Sequence, residues 1–264
     1  MMREGTVRKL HRSSLVLVLC QVRFAPLEAL ENYVPEIQDR LRRAGFPRSE
    51  STTLLEIPSM GSASVPGTRK IWEFQNRERS VSIVLDKTFL TLQTTSYNVF
   101  EDFLETLTGA LDIVSEVVDG LFVSRVGVRY GNVIRPGEGE CWKEYIREGL
   151  RGFESDLFTA GTELNLHQTV AHTDAGIIAL RLFQNRHAGI LPPDLEGQNL
   201  EPPAGFEDVE SGELLTLLDV DHSRVTEFDY TRSSLEELAW KLKNRAHQIT
   251  FEHVVTEHAI NKWS

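Results

Sequence analysis

The segment Phe122-Val123-Ser124-Arg125-Val126-Gly127-Val128-Arg129-Tyr130 reads as one β-strand. Its last three residues echo Val22-Arg23-Phe24, which closes an earlier apolar run from Leu15. After each strand the chain offers a helix-like stretch and then alternating strands containing Leu-Thr-Leu, at Leu90 to Leu92 and Leu215 to Leu217. A helix rich in Leu and Glu follows in both cases. That order predicts an α+β fold, internally duplicated, with a largely antiparallel sheet and long amphipathic helices. The halves run over about 12–119 and 120–264. Each half leaves a sheet face in need of cover, so a single intertwined domain over 1–264 is expected.

Outward from these strands, Leu30, Val34, Ile37 and Leu41 recur at helical spacing, with Gly45 and Pro47 as stop signals and Pro35 as a source of irregularity. Strands are expected over Ser51 to Ile57, Ile71 to Phe74, Val81 to Leu85 and Phe89 to Thr95, with a flexible loop at Pro58 to Gly67. Phe100, Phe103, Leu107, Leu111 and Val114 mark an amphipathic helix from about Val99 to Val118. In the second half a helix is expected over Trp142 to Phe153, and strands over Glu163 to Thr169, Ile177 to Phe183 and Leu214 to Val220. The acidic, Pro-rich stretch Gln184 to Glu213 is a long loop of the kind that forms lids or binding loops. The last helix opens on a capping-box pattern, Ser233 with Glu236, and read as one piece to Trp263 would be about 45 Å long. Leu235, Leu238, Leu242, Ala246, Ile249 and Ile260 form its main apolar stripe. Trp240, Phe251 and Val254 point roughly opposite, as a surface for another protein.

The chain has 264 residues, 41% apolar and 25% charged, which suffices for a sizeable core. Its net charge of −11 disfavours nucleic-acid binding, which depends on clustered Lys and Arg. The two dense basic runs are Arg8, Lys9 and Arg12, and Arg40, Arg42, Arg43 and Arg48. The second lies at a helix C-terminus, where cations meet the negative end of the dipole. Cys20 and Cys141 lack metal or disulfide spacing, which fits a reducing, cytoplasmic setting. The basic N-terminus before Leu15 to Cys20 resembles a secretion signal, but the apolar run is too short and Gln21 and Arg23 interrupt it. No stretch reads as a membrane span.

Candidate chemistry centres on Arg125, Gly127 and Arg129, which share a strand face because side chains alternate with a period of two. Arg23 is the counterpart of Arg129 in the first half, and Asp219 and Asp221 share a face of a later strand. If these strands are neighbours, Arg23, Arg125, Arg129, Asp219 and Asp221 form a central ion network. Its plain role is structural, since buried arginines need carboxylates. Its alternative is an anion or nucleotide pocket, and a third reading is an enzyme that uses the Asp219/Asp221 pair with a metal. His247, His253, Glu257 and His258 on the last helix match no metalloprotease motif, and His253 falls on the main apolar stripe as a core histidine. No metal site and no cofactor are assigned, and no nucleophile motif or phosphate loop is present.

Gln21-Val22-Arg23-Phe24, Trp72-Glu73-Phe74, Thr94-Thr95-Ser96-Tyr97, Phe100-Glu101-Asp102-Phe103, Arg125 to Asn132 and Leu218-Asp219-Val220-Asp221 form a series, with His247, Phe251 and Trp263 in the last helix. The series resembles a sporadically distributed family of uncharacterised prokaryotic proteins, nearly end to end, through an RxGxRY-like and an LxVD-like strand. The resemblance implies one domain and no particular substrate, and by association an accessory locus of defence or toxin–antitoxin type. The expected architecture is loosely the saddle of TATA-binding-protein-like or helix-grip folds. The expected function is a non-catalytic, cytoplasmic protein-interaction module, with another protein as partner.

Overall fold

The computed structural model describes residues 14–56, 67–153, 164–185, 190–191, 193–195, 199–206 and 215–263. The expected loop at Pro58 to Gly67 and the first basic run fall almost wholly outside these residues. Nine strands form one sheet: β1 (Leu15–Phe24), β2 (Arg48–Glu56), β3 (Gly67–Gln75), β4 (Val81–Asp86), β5 (Phe89–Thr94), β6 (Phe122–Ile134), β7 (Leu164–His172), β8 (Ile177–Asn185) and β9 (Leu215–Asp229). The order across the sheet is β2-β3-β4-β5-β1-β6-β9-β8-β7, and every pairing is antiparallel. The helices are α1 (Leu30–Arg43), α2 (Phe100–Val118), α3 (Arg232–Ile249) and α4 (Glu257–Trp263). The fold is therefore α+β with a large antiparallel sheet, and among the described residues no helix is long and apolar enough to cross a membrane.

Register divides the sheet into two unlike faces. Val18, Cys20 and Val22 of β1 lie beside Leu90 and Leu92 of β5 and beside Val126 and Val128 of β6. This apolar face is covered by Leu30, Val34, Ile37 and Leu41 of α1, by Phe103, Leu107, Leu111 and Val114 of α2 and by Leu235 and Leu242 of α3. Apolar residues at three- and four-residue spacing are what let each helix lie on a pleated sheet, and their burial supplies the main driving force. Burial also pushes the Cys20 thiol up to about 12, so it is packing rather than a nucleophile.

The opposite face is polar. Glu73 and Gln75, Ser82, Thr91 and Gln93, Gln21, Arg125 and Arg129, Asp219 and Asp221, and Arg181 follow one another across β3, β4, β5, β1, β6, β9 and β8. Segments of the long acidic loop lie over part of it. Leu17, Leu19, Val133, Leu215 and Leu217 make a floor for Ile190, Leu191, Leu195, Leu200 and Phe206. Gln75 donates to the Asn199 carbonyl at 3.0 Å, Thr95 to that of Glu201 at 2.8 Å and Arg135 to that of Gly205 at 2.7 Å.

Three sequence expectations are corrected. First, Trp142 to Phe153 is not a helix: it forms two short 3₁₀ turns, Trp142–Glu144 and Glu148–Leu150, with Ile146 bridged to Val255 between them. Second, the C-terminal helix is not continuous. α3 is capped by Thr231, whose hydroxyl accepts from the Ser234 amide, and it ends at Ile249. A π-type turn, Thr250–Val254, then delivers Val255 to Ile146, and Arg147 N–H donates to the Val254 carbonyl while Thr256 N–H donates to that of Tyr145. This non-local pairing competes with further helix and stops it.

Third, the outward stripe is packed rather than offered. Val254 is buried in the second core cluster, Phe251 leans on that cluster, and Trp240 meets the Phe100 ring edge-on at 4.8 Å. The π-type turn rotates the chain, so His253, expected in the core, is exposed. His247 lies against Phe251, 4.4 Å between ring centres. The histidine the core does hold is His222 on β9, which bonds the Leu242 carbonyl through Nδ1 and the Thr173 hydroxyl through Nε2, both at 2.9 Å. Burial holds its pKa below the usual imidazole value.

Candidate functional site

β1, β6, β9 and β8 lie side by side, and their registers bring the sequence-predicted charges onto the polar face. Arg23 pairs with Arg125, Gln21 with Gly127, Arg129 with Asp221, and Asp219 with Arg181. At one end the charges are fully engaged. Asp219, which is 0% exposed, accepts from Arg129 Nε at 2.7 Å, from Arg129 Nη2 at 2.9 Å and from Arg181 Nη1 at 2.8 Å. The outer edge of the same Arg129 guanidinium grips Asp194 of the acidic loop, Nη1 at 2.6 Å and Nη2 at 2.8 Å. Burial acts to lower the Arg129 pKa, but the bonds to Asp194 and Asp219 outweigh it and the group is held above its ordinary value. Arg181 and Asp194 were missed in the sequence. Arg181 has only strand alternation to announce it, and Asp194 sits among prolines with no periodicity.

At the other end the charges are under-served. The Arg125 guanidinium lies flat over Gly127, where a Cβ would come within 3.1 Å of its Nη1 and of Ser223 Cβ. Glycine between the two arginines is thus the space the Arg125 head group occupies. Arg125 Nη1 donates to Gln21 Oε1 at 3.3 Å, and Arg23 Nε donates to the same oxygen at 2.9 Å. Among the described residues neither guanidinium is hydrogen-bonded to a carboxylate. Burial, together with the facing Arg23 charge, lowers the pKa of Arg125, and the nearby Asp221 charge offsets this only in part. Asp221 takes no hydrogen bond from a described residue, and burial pushes its carboxyl up despite Arg125 and Arg129. Ser223 and the well-exposed Val225 complete this end on β9, and Thr91, bonded to Gln21 Nε2 at 3.3 Å, completes it on β5.

The arrangement does not favour a carboxylate pair for a metal. Both Asp219 oxygens already face guanidinium donors, so the two aspartates do not converge, and no cluster of three or more His, Cys, Asp or Glu able to hold a metal occurs among the described residues. The C-terminal acid–base residues form a separate, structural knot. Glu140 accepts from Tyr145 and Lys262, each at 2.5 Å, and from the Gly137 amide at 2.8 Å, which lowers its pKa to about 2. His258 stands 3.6 Å from Glu140, and Glu257 is exposed on α4. No protein-family model matches the chain, and no curated protein sequence matches it.

Proposed function

We propose that the chain is a non-catalytic binding module that receives an oxyanion, best matched by a phosphate group, at Gln21, Arg23 and Arg125. One observation carries this reading: two guanidinium groups from neighbouring strands converge on a single neutral oxygen, Gln21 Oε1. Each guanidinium has five N–H donors, and a half-buried Arg125 beside the exposed Arg23 charge is unfavourable without a counter-ion. A phosphate monoester carries a charge of about −1.5 to −2 at neutral pH, which balances two guanidiniums and offers oxygens for bidentate bonding. In the absence of ligand, Arg125→Met is neutral or stabilising, as expected where a site trades stability for binding.

The test is thermal denaturation of the full chain with inorganic phosphate. Binding to the folded state raises stability by about 2.7 kcal/mol at a hundredfold excess over Kd. Saturable stabilisation is expected in the wild type, and its loss in Arg125→Ala and in Arg23→Ala. No stabilisation by phosphate, or stabilisation that survives both substitutions, defeats the reading.

The same proposal takes the halves as versions of one unit, loosely like saddle or helix-grip folds. Support comes from the centre of the sheet, where β1 and β6 pair, Arg23 faces Arg125, and the strand flanking each carries the Leu-Thr-Leu element. A second reading is the protein-interaction module, now at the sheet edge instead of the last helix. β7 is an outermost strand without Lys, Arg, Asp, Glu or Pro, and Leu164, Leu166 and Val170 on it are 52–63% exposed. Edges usually carry such residues to block pairing, and a bare edge accepts an extended segment of a partner. Val170→Lys is expected to abolish capture of a partner while leaving the denaturation midpoint unchanged. Capture unaffected by it sinks this reading.

A further inference from the structure

Along the uncovered face of β9, Asp221, Ser223 and Val225 follow one another, and Ser223 is the register partner of Gly127. On the other side of β6, Gly127 pairs with Gln21, whose Oε1 receives both Arg23 and Arg125. An oxyanion held by those two guanidiniums therefore lies over Gln21 and Gly127, and Asp221 stands diagonally from Gly127, a separation of about 7–8 Å. Between the two positions β6 and β9 present only Gly127 and Ser223, beside the Arg125 head group itself. Asp221 is half-buried and takes no hydrogen bond from a described residue. Its cationic neighbours are engaged elsewhere: Arg129 and Arg181 on Asp219, the outer edge of Arg129 on Asp194, and Arg125 on Gln21. A half-buried carboxylate calls for donors, and the described chain supplies none.

We propose, on the strength of the phosphate reading of Arg23 and Arg125, that the ligand of this face is the phosphate monoester of an amino alcohol, with its phosphoryl group between those arginines and its ammonium on Asp221. A bare phosphate over Gln21 and the Asp221 carboxylate repel one another. A positive group placed between them is attracted to both and turns that repulsion into a gain. Two carbon atoms between ester oxygen and ammonium, with charge-assisted bonds of about 2.8 Å at either end, cover the diagonal from Gly127 to Asp221. Each charge of the ligand then meets its opposite: the phosphoryl group two guanidiniums, the ammonium one carboxylate. A hydroxyl in the place of the ammonium also donates to Asp221, but it brings no charge to offset the repulsion. Arg129 keeps Asp194 and Asp219 throughout and takes no part.

The experiment is calorimetric titration of the full chain with inorganic phosphate, ethanolamine phosphate and glycerol phosphate, comparing the wild type, Asp221→Asn and Arg125→Ala. The wild type is expected to bind ethanolamine phosphate roughly tenfold more tightly than glycerol phosphate, since hydrogen bonds between charged groups are the strong ones. Asp221→Asn keeps the shape and removes the charge. It is expected to bring the two esters within about twofold of each other and to bind inorganic phosphate at least as tightly as the wild type, because the opposing carboxylate is gone. Arg125→Ala loses all three ligands. Equal affinity of the wild type for the two esters, or a preference that survives Asp221→Asn, overturns the ammonium subsite while the phosphate site stands. Weaker binding of inorganic phosphate by Asp221→Asn makes Asp221 a support of the arginines rather than a partner of the ligand, and also overturns it. Absence of phosphate binding in the wild type, or phosphate binding unchanged in Arg125→Ala, removes the underlying site and the ammonium subsite with it.

Discussion

Arg129→Met is expected to cost about 3–5 kcal/mol of folding stability, the range for removing one partner of a buried ion pair. Asp219 is fully buried and would lose two of its three guanidinium bonds, leaving Arg181 alone to balance it. The loop would lose its Asp194 anchor at the same time. Much of this cost belongs to the stranded carboxylate rather than to the contact itself. The double variant Arg129→Met with Asp219→Leu should therefore recover most of it, because apolar residues of similar volume replace buried pairs with little loss. Arg181, part-exposed, can turn its freed end to solvent. Urea denaturation of the two variants decides the matter. A single variant within about 1 kcal/mol of the wild type would mean that Asp219 takes its stability from elsewhere, and a double variant no better than the single would rule out the stranded-charge account.

This network shows how far the sequence carries. Arg125 and Arg129 share a face of β6, and Asp219 and Asp221 a face of β9, by strand alternation alone, because period two is a local property that survives any strand order, whereas the β6–β9 register puts the two pairs on the same side. The same holds for Leu30, Val34, Ile37 and Leu41, whose helical spacing matches the buried face of α1. Strand order is different. β5 lies between β4 and β1, and β9 between β6 and β8, which no periodicity announces. Which arginines have partners was equally hidden, because the decisive carboxylate, Asp194, arrives from a loop 65 residues along the chain from Arg129.

The C-terminal region was misread for a related reason. Periodicity continues through Phe251 and Val254, so a helix to Trp263 fits the apolar pattern. The Ile146–Val255 bridge and the two main-chain bonds beside it are contacts over about a hundred residues, and they override local preference. An apolar stripe reports that a face is covered, not what covers it. Trp240 on Phe100 and Val254 in the second cluster are covered by this chain itself.

Gly176→Ala is the other change expected to have a large effect, about 3–5 kcal/mol from overpacking combined with a lost buried hydrogen bond. Gly176 closes the turn from β7 to β8, where the Thr173 N–H donates to the Gly176 carbonyl at 2.7 Å. A Cβ there would stand 2.2 Å from the Ser223 carbonyl oxygen and 2.9 Å from its carbon. Both are main-chain atoms of β9, so no side-chain rotation relieves the clash and the turn must move. The turn also holds Thr173, whose hydroxyl accepts from the Ala175 and Gly176 amides and partners the buried His222. Its withdrawal leaves the His222 Nε2 without a partner inside the core. The disturbance reaches the anion site as well, since Ser223 packs beside Gly127, under the Arg125 guanidinium. Gly176→Ala should therefore weaken phosphate binding even where the variant remains folded, whereas Gly149→Ala, with open space around it and no positive φ, should cost less and leave binding alone. Chemical denaturation and phosphate titration on the two variants test this. A Gly176→Ala protein as stable as Gly149→Ala would show that β9 yields at Ser223, and unchanged phosphate affinity would show that Arg125 does not depend on how β9 is seated beneath it.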